Sequence, residues 1–290
     1  MNKLAVTLII AAVLFAHNAF GLTVSGVLND GQGDFDPWNQ TRWAAWYSGG
    51  KVVEPFEINC SLRFAAKATS WEVDLSQLSG SLPRLFIVTV NSSVDIDGNG
   101  VVIDARKAHT KGWPLLYYYT NNVSTSNDFG TWRGVLFRQP TPAPQGDNGS
   151  RLRNLTLLGF LNAVEFDHTH QRKVTVSGCT LKTNVWALFP RGANVAVTGN
   201  TIIENHLGGL YCEYNSRDWL FSGNVFRDNN TRGAVAYGDI VLDACYRHTV
   251  IDNQFLAASY TPRDYHTAIS LYRNQGEDGD IREPASMDHL

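Results

Sequence analysis

The chain has 290 residues, 43% of them hydrophobic and 18% charged, with a formal net charge of −3. That balance suits a globular protein with a long apolar core and excludes a disordered chain. Charges of both signs are scattered along the chain, so neither a basic face for nucleic acid nor an acidic solvating tail is expected.

Residues 1–21 read as a cleaved signal peptide. Lys3 supplies a positive start, Leu4 to Phe15 is an apolar run, and Ala19 and Gly21 place small residues where a signal peptidase reads. The run is short for a bilayer, and no later stretch suits a transmembrane span. A secreted or periplasmic protein with no membrane span in its mature chain is expected. Export permits disulfides. Cys60, Cys179, Cys212 and Cys245 are far apart, however, and show neither a CxxC pair nor zinc-ligand spacing.

Residues 22–80 are expected to form an N-terminal cap with the first irregular coils, including a short amphipathic helix over residues 39–47. The cap matters because an exposed sheet edge invites aggregation. Val94 to Ile103 is an early copy of a repeat that becomes regular later. Residues 105–150 read as a long insertion between coils, with two apolar pieces (Pro114 to Tyr119 and Gly134 to Phe137) and a proline-rich end.

From residue 150 the repeat is apolar-x-apolar-x-Gly-Asn-x-apolar. Its anchors fall at Gly159, Gly178, Gly199, Gly223 and Asp252, with periods of 19, 21, 24 and 29. Short alternation suits strands with one buried face. Glycine supplies a turn of positive φ, and the following Asn can hydrogen-bond within the turn. A third strand completes each unit: Ala163 to Phe166, Trp186 to Phe189, Gly209 to Cys212, Ile240 to Leu242 and Ala268 to Leu271. No unit closes a core alone, so the units must stack as an all-β solenoid. Residues 276–290 read as a polar loop whose end, Met287 to Leu290, is like the start of a truncated further coil.

These repeats and the Asp97-Gly98-Asn99-Gly100 turn resemble the right-handed parallel β-helix, or pectate-lyase-like, superfamily. The resemblance implies a right-handed parallel β-helix over residues 81–275. It also implies a ladder of turn amides from Asn200, Asn224 and Asn253. It identifies an architecture rather than one enzyme. The motif sets that mark the superfamily's polygalacturonases and pectate lyases are absent here.

In such a solenoid, outward residues of successive coils form columns. Reading the third strand with Val164, Phe166, Ala187, Phe189, Leu210, Cys212, Ile240, Leu242, Ile269 and Leu271 inward leaves an outer edge of Asp167, Arg191, Glu213, Asp243 and Arg273, with His168 and His170 nearby. The acids could transfer protons, or Glu213 and Asp243 could hold calcium. The arginines could hold a sugar carboxylate through paired hydrogen bonds. Lengthening loops, Arg227 to Gly238 and Ala257 to Thr267, are expected to wall the same edge. The expected function is that of an exported, monomeric lyase or hydrolase acting on acidic polysaccharide or a cell-surface glycan. The alternative is a non-catalytic, glycan-binding or structural surface β-helix, in which these charges are a solvated face.

Overall fold

The structure is a computed structural model. It describes residue 24 and residues 34–78, 82–89, 94–108, 132–138, 149–167, 173–212, 216–231, 238–243, 245–256 and 267–272. The signal-peptide reading of residues 1–21 lies outside these, as do Glu213, Arg273, His168, His170 and residues 276–290.

The fold is a parallel β-helix of three long sheets. Seven strands form the first sheet: Leu62–Arg63, Asp95–Asp97, Ser150–Arg153, Val174–Ser177, Val195–Thr198, Leu220–Ser222 and Thr249–Ile251. The second sheet has seven: Trp71–Glu72, Val102–Asp104, Thr156–Leu158, Thr180–Lys182, Thr201–Ile203, Val225–Arg227 and Gln254–Leu256. Eight form the third: Phe56–Ile58, Arg84–Thr89, Arg133–Arg138, Asn162–Phe166, Trp186–Phe189, Gly208–Cys212, Gly238–Asp243 and Thr267–Tyr272. Inward residues stack into one continuous core, as Leu152, Val176, Val197 and Phe221 do in the first sheet.

Four sequence expectations need correction. The expected insertion over 105–150 contains Arg133–Arg138, a regular third-sheet strand paired with Arg84–Thr89 and Asn162–Phe166. The segment ending at Gly159 belongs to the second sheet, where Thr156 pairs with Thr180. The first-sheet partner of Val174–Ser177 is Ser150–Arg153, and its turn of positive φ is carried by Asn154. A left-handed residue follows each first-sheet strand from Ser150–Arg153 onward and each second-sheet strand from Thr156–Leu158 to Val225–Arg227, so a local Leu-Gly-Phe string fits either corner. Over residues 39–47 the only helical segment is a single 3-10 turn, Ala44–Trp46.

The fourth correction concerns amides. The first corner carries the expected ladder. Asn200 Oδ1 accepts from the Cys179 amide at 2.9 Å, Asn224 Oδ1 from the Asn200 amide at 3.0 Å, and Asn253 Oδ1 from the Asn224 amide at 2.9 Å. A second ladder, not expected, stands at the next corner. Asn184 Oδ1 accepts from the Phe160 amide at 3.0 Å, Asn205 Oδ1 from Asn184 at 3.0 Å, and Asn229 Oδ1 from Asn205 at 3.1 Å. It ends on a carboxylate: Asn229 Nδ2 donates to Asp239 Oδ1 at 2.7 Å. Asn229 therefore sits in the interior, 1% exposed, rather than in a surface loop.

At the N-terminal end the core is closed by aromatic rings. Phe35 packs edge-on against Trp43, Phe56 and Phe64, and Trp46 stacks on Phe56. At the other end Ile269 and Leu271 continue the inward columns of Ile240 and Leu242 but are 37% and 58% exposed. Among the described residues their strand has a neighbour on one side only.

Both ladders make the same prediction. Asn224→Ala and Asn229→Ala should each destabilise the fold by about 1–3 kcal/mol, since each leaves buried backbone groups without a partner. Denaturant melts in which Asn229→Ala is neutral would contradict the second ladder. Thiol labelling gives an independent check. Cys212 and Cys245 are both fully buried, and their thiols contact one another. Burial pushes Cys179 up to about 12. Alkylation of the native protein should reach half-buried Cys60 first, and leave Cys179, Cys212 and Cys245 until the fold opens.

Candidate functional site

The outer face of the third sheet is set by strand register. Glu57, Ile87, Leu136, Glu165, Phe189, Tyr211, Val241 and Ser270 follow one another from coil to coil. Near the strand starts lie Arg84, Arg133 and Trp186. Beyond the central column lie Arg138, Asp167, Arg191 and Asp243. This face has an apolar cluster of its own: Leu161, Val185, Trp186, Leu207 and Val241, with Phe189 and Tyr211 packed against it.

Phe189 thus points outward, not inward, and Leu188 is the core residue. The strand register explains the error. Ala187 and Leu188 both join the core, so simple alternation fails within Trp186–Phe189. Glycine at 208 then makes room for the Trp186 ring. A Cβ there would lie 2.6 Å from that ring and 2.4 Å from the Gly238 carbonyl oxygen.

Two of the expected site residues are joined through this aromatic group. The Arg191 guanidinium lies 4.9 Å from the centre of the Phe189 ring. Phe189 stacks on Tyr211 with centres 5.6 Å apart, and Tyr211 packs against Trp186 at 5.1 Å. The Tyr211 hydroxyl donates to Asp243 Oδ2 at 2.7 Å. Asp243 is 8% exposed, and its Oδ1 is buried with no hydrogen-bond partner among the described residues. A half-buried cation, an aromatic platform and a desolvated carboxylate oxygen thus line one edge. Such an oxygen can accept a proton or a hydroxyl, because little water competes for it.

Asp167 is half-buried on the same edge but does not join Asp243. Strand pairing separates them by three coils, about 14 Å at the usual strand spacing. That exceeds the ~5–9.5 Å between paired carboxylates in glycoside hydrolysis. It also rules out a shared ion. Among the described residues no three His, Cys, Asp or Glu side chains converge as metal ligands.

Sequence reading overlooked a second charged group, further toward the N-terminal end of this face. Glu165, 4% exposed, pairs with Arg133 through Oε1, and its Oε2 lies 3.7 Å from Arg84 Nε. The signal was present: Arg84, Arg133 and Arg138 border two apolar runs of the same length, which makes them strand-edge residues of neighbouring coils.

A shallow groove of about 510 Å³ occupies a different place, the corner between the first and second sheets, lined by Arg63, Asp97, Asn99, Asn154, Thr156 and Thr180 among others. Its polar groups satisfy one another. Asp97 Oδ1 accepts from the Asn99 amide at 3.0 Å and from Asn154 Nδ2 at 3.1 Å, while Oδ2 pairs with Arg153 at 2.9 Å. Arg63 donates to Asn99 Oδ1 at 2.8 Å. Nothing there awaits a ligand, whereas Asp243 keeps an uncommitted oxygen. The third-sheet face is therefore the better candidate.

The corner network makes a pH prediction. Burial alone would raise the Asp97 carboxyl, but hydrogen bonds from Asn99 and Asn154 and the charges of Arg153 and Arg63 outweigh it and hold the pKa below the ordinary value. The stabilisation is complete above the unfolded-state value of about 3.9 and is lost as pH falls through the folded-state value. Asp97→Asn should therefore be less stable than the wild type at neutral pH, with the gap narrowing below about pH 4. Denaturant melts across that range check it; a gap independent of pH would contradict the assignment.

No protein-family model matches the chain, and no curated protein matches it. A solved structure similar to it is the enzymatically active domain of tailspike protein 2 from bacteriophage CBA120. The identity is 8% and the TM-score 0.40, and the match covers 83% of this chain and 46% of that one. This chain thus spans less than half the length of that structure. Its own assignment as a parallel β-helix rests on the registers of its three sheets.

Proposed function

We propose that this protein is a glycan-active β-helix that holds an acidic polysaccharide across the ends of the third-sheet strands. The observation that carries the reading is the chain of contacts from Arg191 through Phe189 and Tyr211 to Asp243, which ends on a buried carboxylate oxygen without a partner. Aromatic rings offer an apolar platform with a polar tip, suited to the C–H face of a sugar. An arginine on that platform can pair with a uronic-acid carboxylate through two parallel hydrogen bonds.

In this reading Asp243 is the proton acceptor and Tyr211 holds it in place. In an elimination, Asp243 would take the proton beside the uronate carboxylate while Arg191 stabilises the charge that develops there; the electron pair then forms the ring double bond as the glycosidic C–O bond breaks, and the departing oxygen takes a proton from solvent. In a hydrolysis it would activate water. Glu213 and Arg273 complete the same edge in the proposal. Asp243 Oδ1 also suits a hard cation, so calcium held between Glu213 and Asp243 belongs to the proposal.

A second reading, glycan binding without catalysis, is favoured by the separation of Asp167 and Asp243. Among the described residues of this edge no two carboxylates stand at a catalytic spacing.

One experiment separates the two. The purified protein is incubated with uronic-acid polymers, with and without calcium, while unsaturated and reducing ends are measured. Catalysis should appear, and Asp243→Asn should lower turnover by about 10²-fold or more. Arg191→Ala should weaken binding. Retention without cleavage on the same polymers would select the second reading. Neither binding nor cleavage would reject both, leaving the acids as a solvated face.

A further inference from the structure

We infer that Arg84, Arg133 and Arg138 form an oxyanion subsite on the outer face of the third sheet, on coils nearer the N-terminus than the Arg191–Asp243 group. It suits a carboxylate or sulfate group carried by an extended ligand. Only the identification of that ligand as a glycan rests on the proposed function.

The first argument is charge. Arg84 and Arg133 are direct partners on adjacent strands, and Arg138 closes the second of those strands. Arg84 and Arg133 thus meet one carboxylate, Glu165, on the next coil, and the charge of Arg138 adds to theirs. Arg138 has no ion pair among the described residues. The first-sheet arginines behave differently. Arg153 pairs with Asp95 and Asp97, and Arg247 with Asp218.

The second argument is unmet donors. Among the described residues the buried Nε atoms of Arg84 and Arg133 have no partner at hydrogen-bond distance, and Glu165 Oε2, 3.7 Å from Arg84 Nε, is too far to supply one. Their side chains are 23% and 13% exposed, so water solvates them poorly. A guanidinium withdrawn from water with a donor unused is costly, and an oxyanion between the strands would remove that cost. The cations also feel one another: Arg84 is pushed down chiefly by burial, and Arg133 and Arg138 add to the effect while Glu165 opposes it.

Geometry extends the idea along the solenoid. Arg138 and Arg191 stand two coils apart on one edge, about 10 Å at strand spacing. A ligand running along the axis would meet cations at both places, with the aromatic platform at the second. Regularly spaced anionic groups are what such a face would read, and a uronic-acid polymer or a sulfated glycan supplies them.

The test uses three variants and four probes. Sodium sulfate is titrated against sodium chloride at matched ionic strength, with melting temperature and heat as readouts. Oligogalacturonate, a sulfated neutral oligosaccharide and its unsulfated form follow. Wild type should show a saturable sulfate response beyond that of chloride. Arg138→Gln should weaken it about 10- to 100-fold, the value of a hydrogen bond to a charged group, while changing stability little, since Arg138 has no ion pair among the described residues. Arg133→Gln alone strands a buried Glu165, so the paired change Arg133→Gln with Glu165→Gln replaces it; this too should weaken sulfate. Glu165→Gln alone should strengthen sulfate binding, because it removes the competing carboxylate. A merely structural ion pair would not produce that gain.

Equal responses to sulfate and chloride in the wild type would overturn the subsite, as would full sulfate binding in Arg138→Gln. Sulfate binding lost in Arg138→Gln, with no oligosaccharide bound by the wild type, would support the subsite and reject the glycan reading. Oligogalacturonate bound equally by wild type and Arg138→Gln would do the reverse.

Discussion

Everything in this structure depends on closing the corners of a coil without stranding polar groups. A strand of three or four residues satisfies its backbone through its neighbours in the sheet, but the chain must then turn sharply while staying inside the stack. At two successive corners the solution is a buried asparagine. Each amide serves several groups: Asn224 accepts from the Asn200 amide and donates to the Val197 carbonyl at 2.8 Å and to Asn253 Oδ1 at 2.9 Å. Burying so many amides is tolerable only because nearly every lone pair and proton has a partner. With the corners fixed, coil height is fixed, and inward residues such as Leu157, Leu181, Ile202 and Phe226 fall into register without further specification.

The same constraint organises the outside. Because coils stack at strand spacing, an outward side chain meets neighbours on other coils as well as those near it in sequence, as Arg191 meets Phe189. Tyr211 reaches Asp243, which is 32 residues away in the chain but on the next coil. Arg133 reaches Glu165 in the same manner. The result is a face on which a cationic region, an aromatic platform and a carboxylate succeed one another along the solenoid. A ligand lying along the axis would meet them in that order.

What sequence could reveal follows from which signals are local. Gly-Asn after an alternating strand is local, so the Asn200, Asn224 and Asn253 ladder was legible. The second ladder had a signal too: Asn184, Asn205 and Asn229 each stand five positions after a first-corner residue (Cys179, Asn200 and Asn224). It lacks a preceding glycine, since Thr183, Glu204 and Asp228 take the positive φ themselves, and so Asn229 reads as a polar loop residue. Phase within the third sheet was less legible. Two consecutive core residues, Ala187 and Leu188, defeat alternation and turn Phe189 outward. Asp243 and Arg191 were nameable from that edge, whereas Tyr211 as the partner of Asp243 was not, because register, not spacing, brings them together.

The ladders also give the solenoid a direction. Asn200, Asn224 and Asn253 each direct Oδ1 and one N–H to the coil before their own: Asn253 accepts from the Asn224 amide and donates to the Phe221 carbonyl at 2.8 Å. A chain is synthesised from its N-terminus, so when each of these amides emerges the groups for those two bonds already exist. The stack can therefore lengthen one coil at a time behind the ribosome, each new amide docking onto finished structure while one N–H waits for the coil to come.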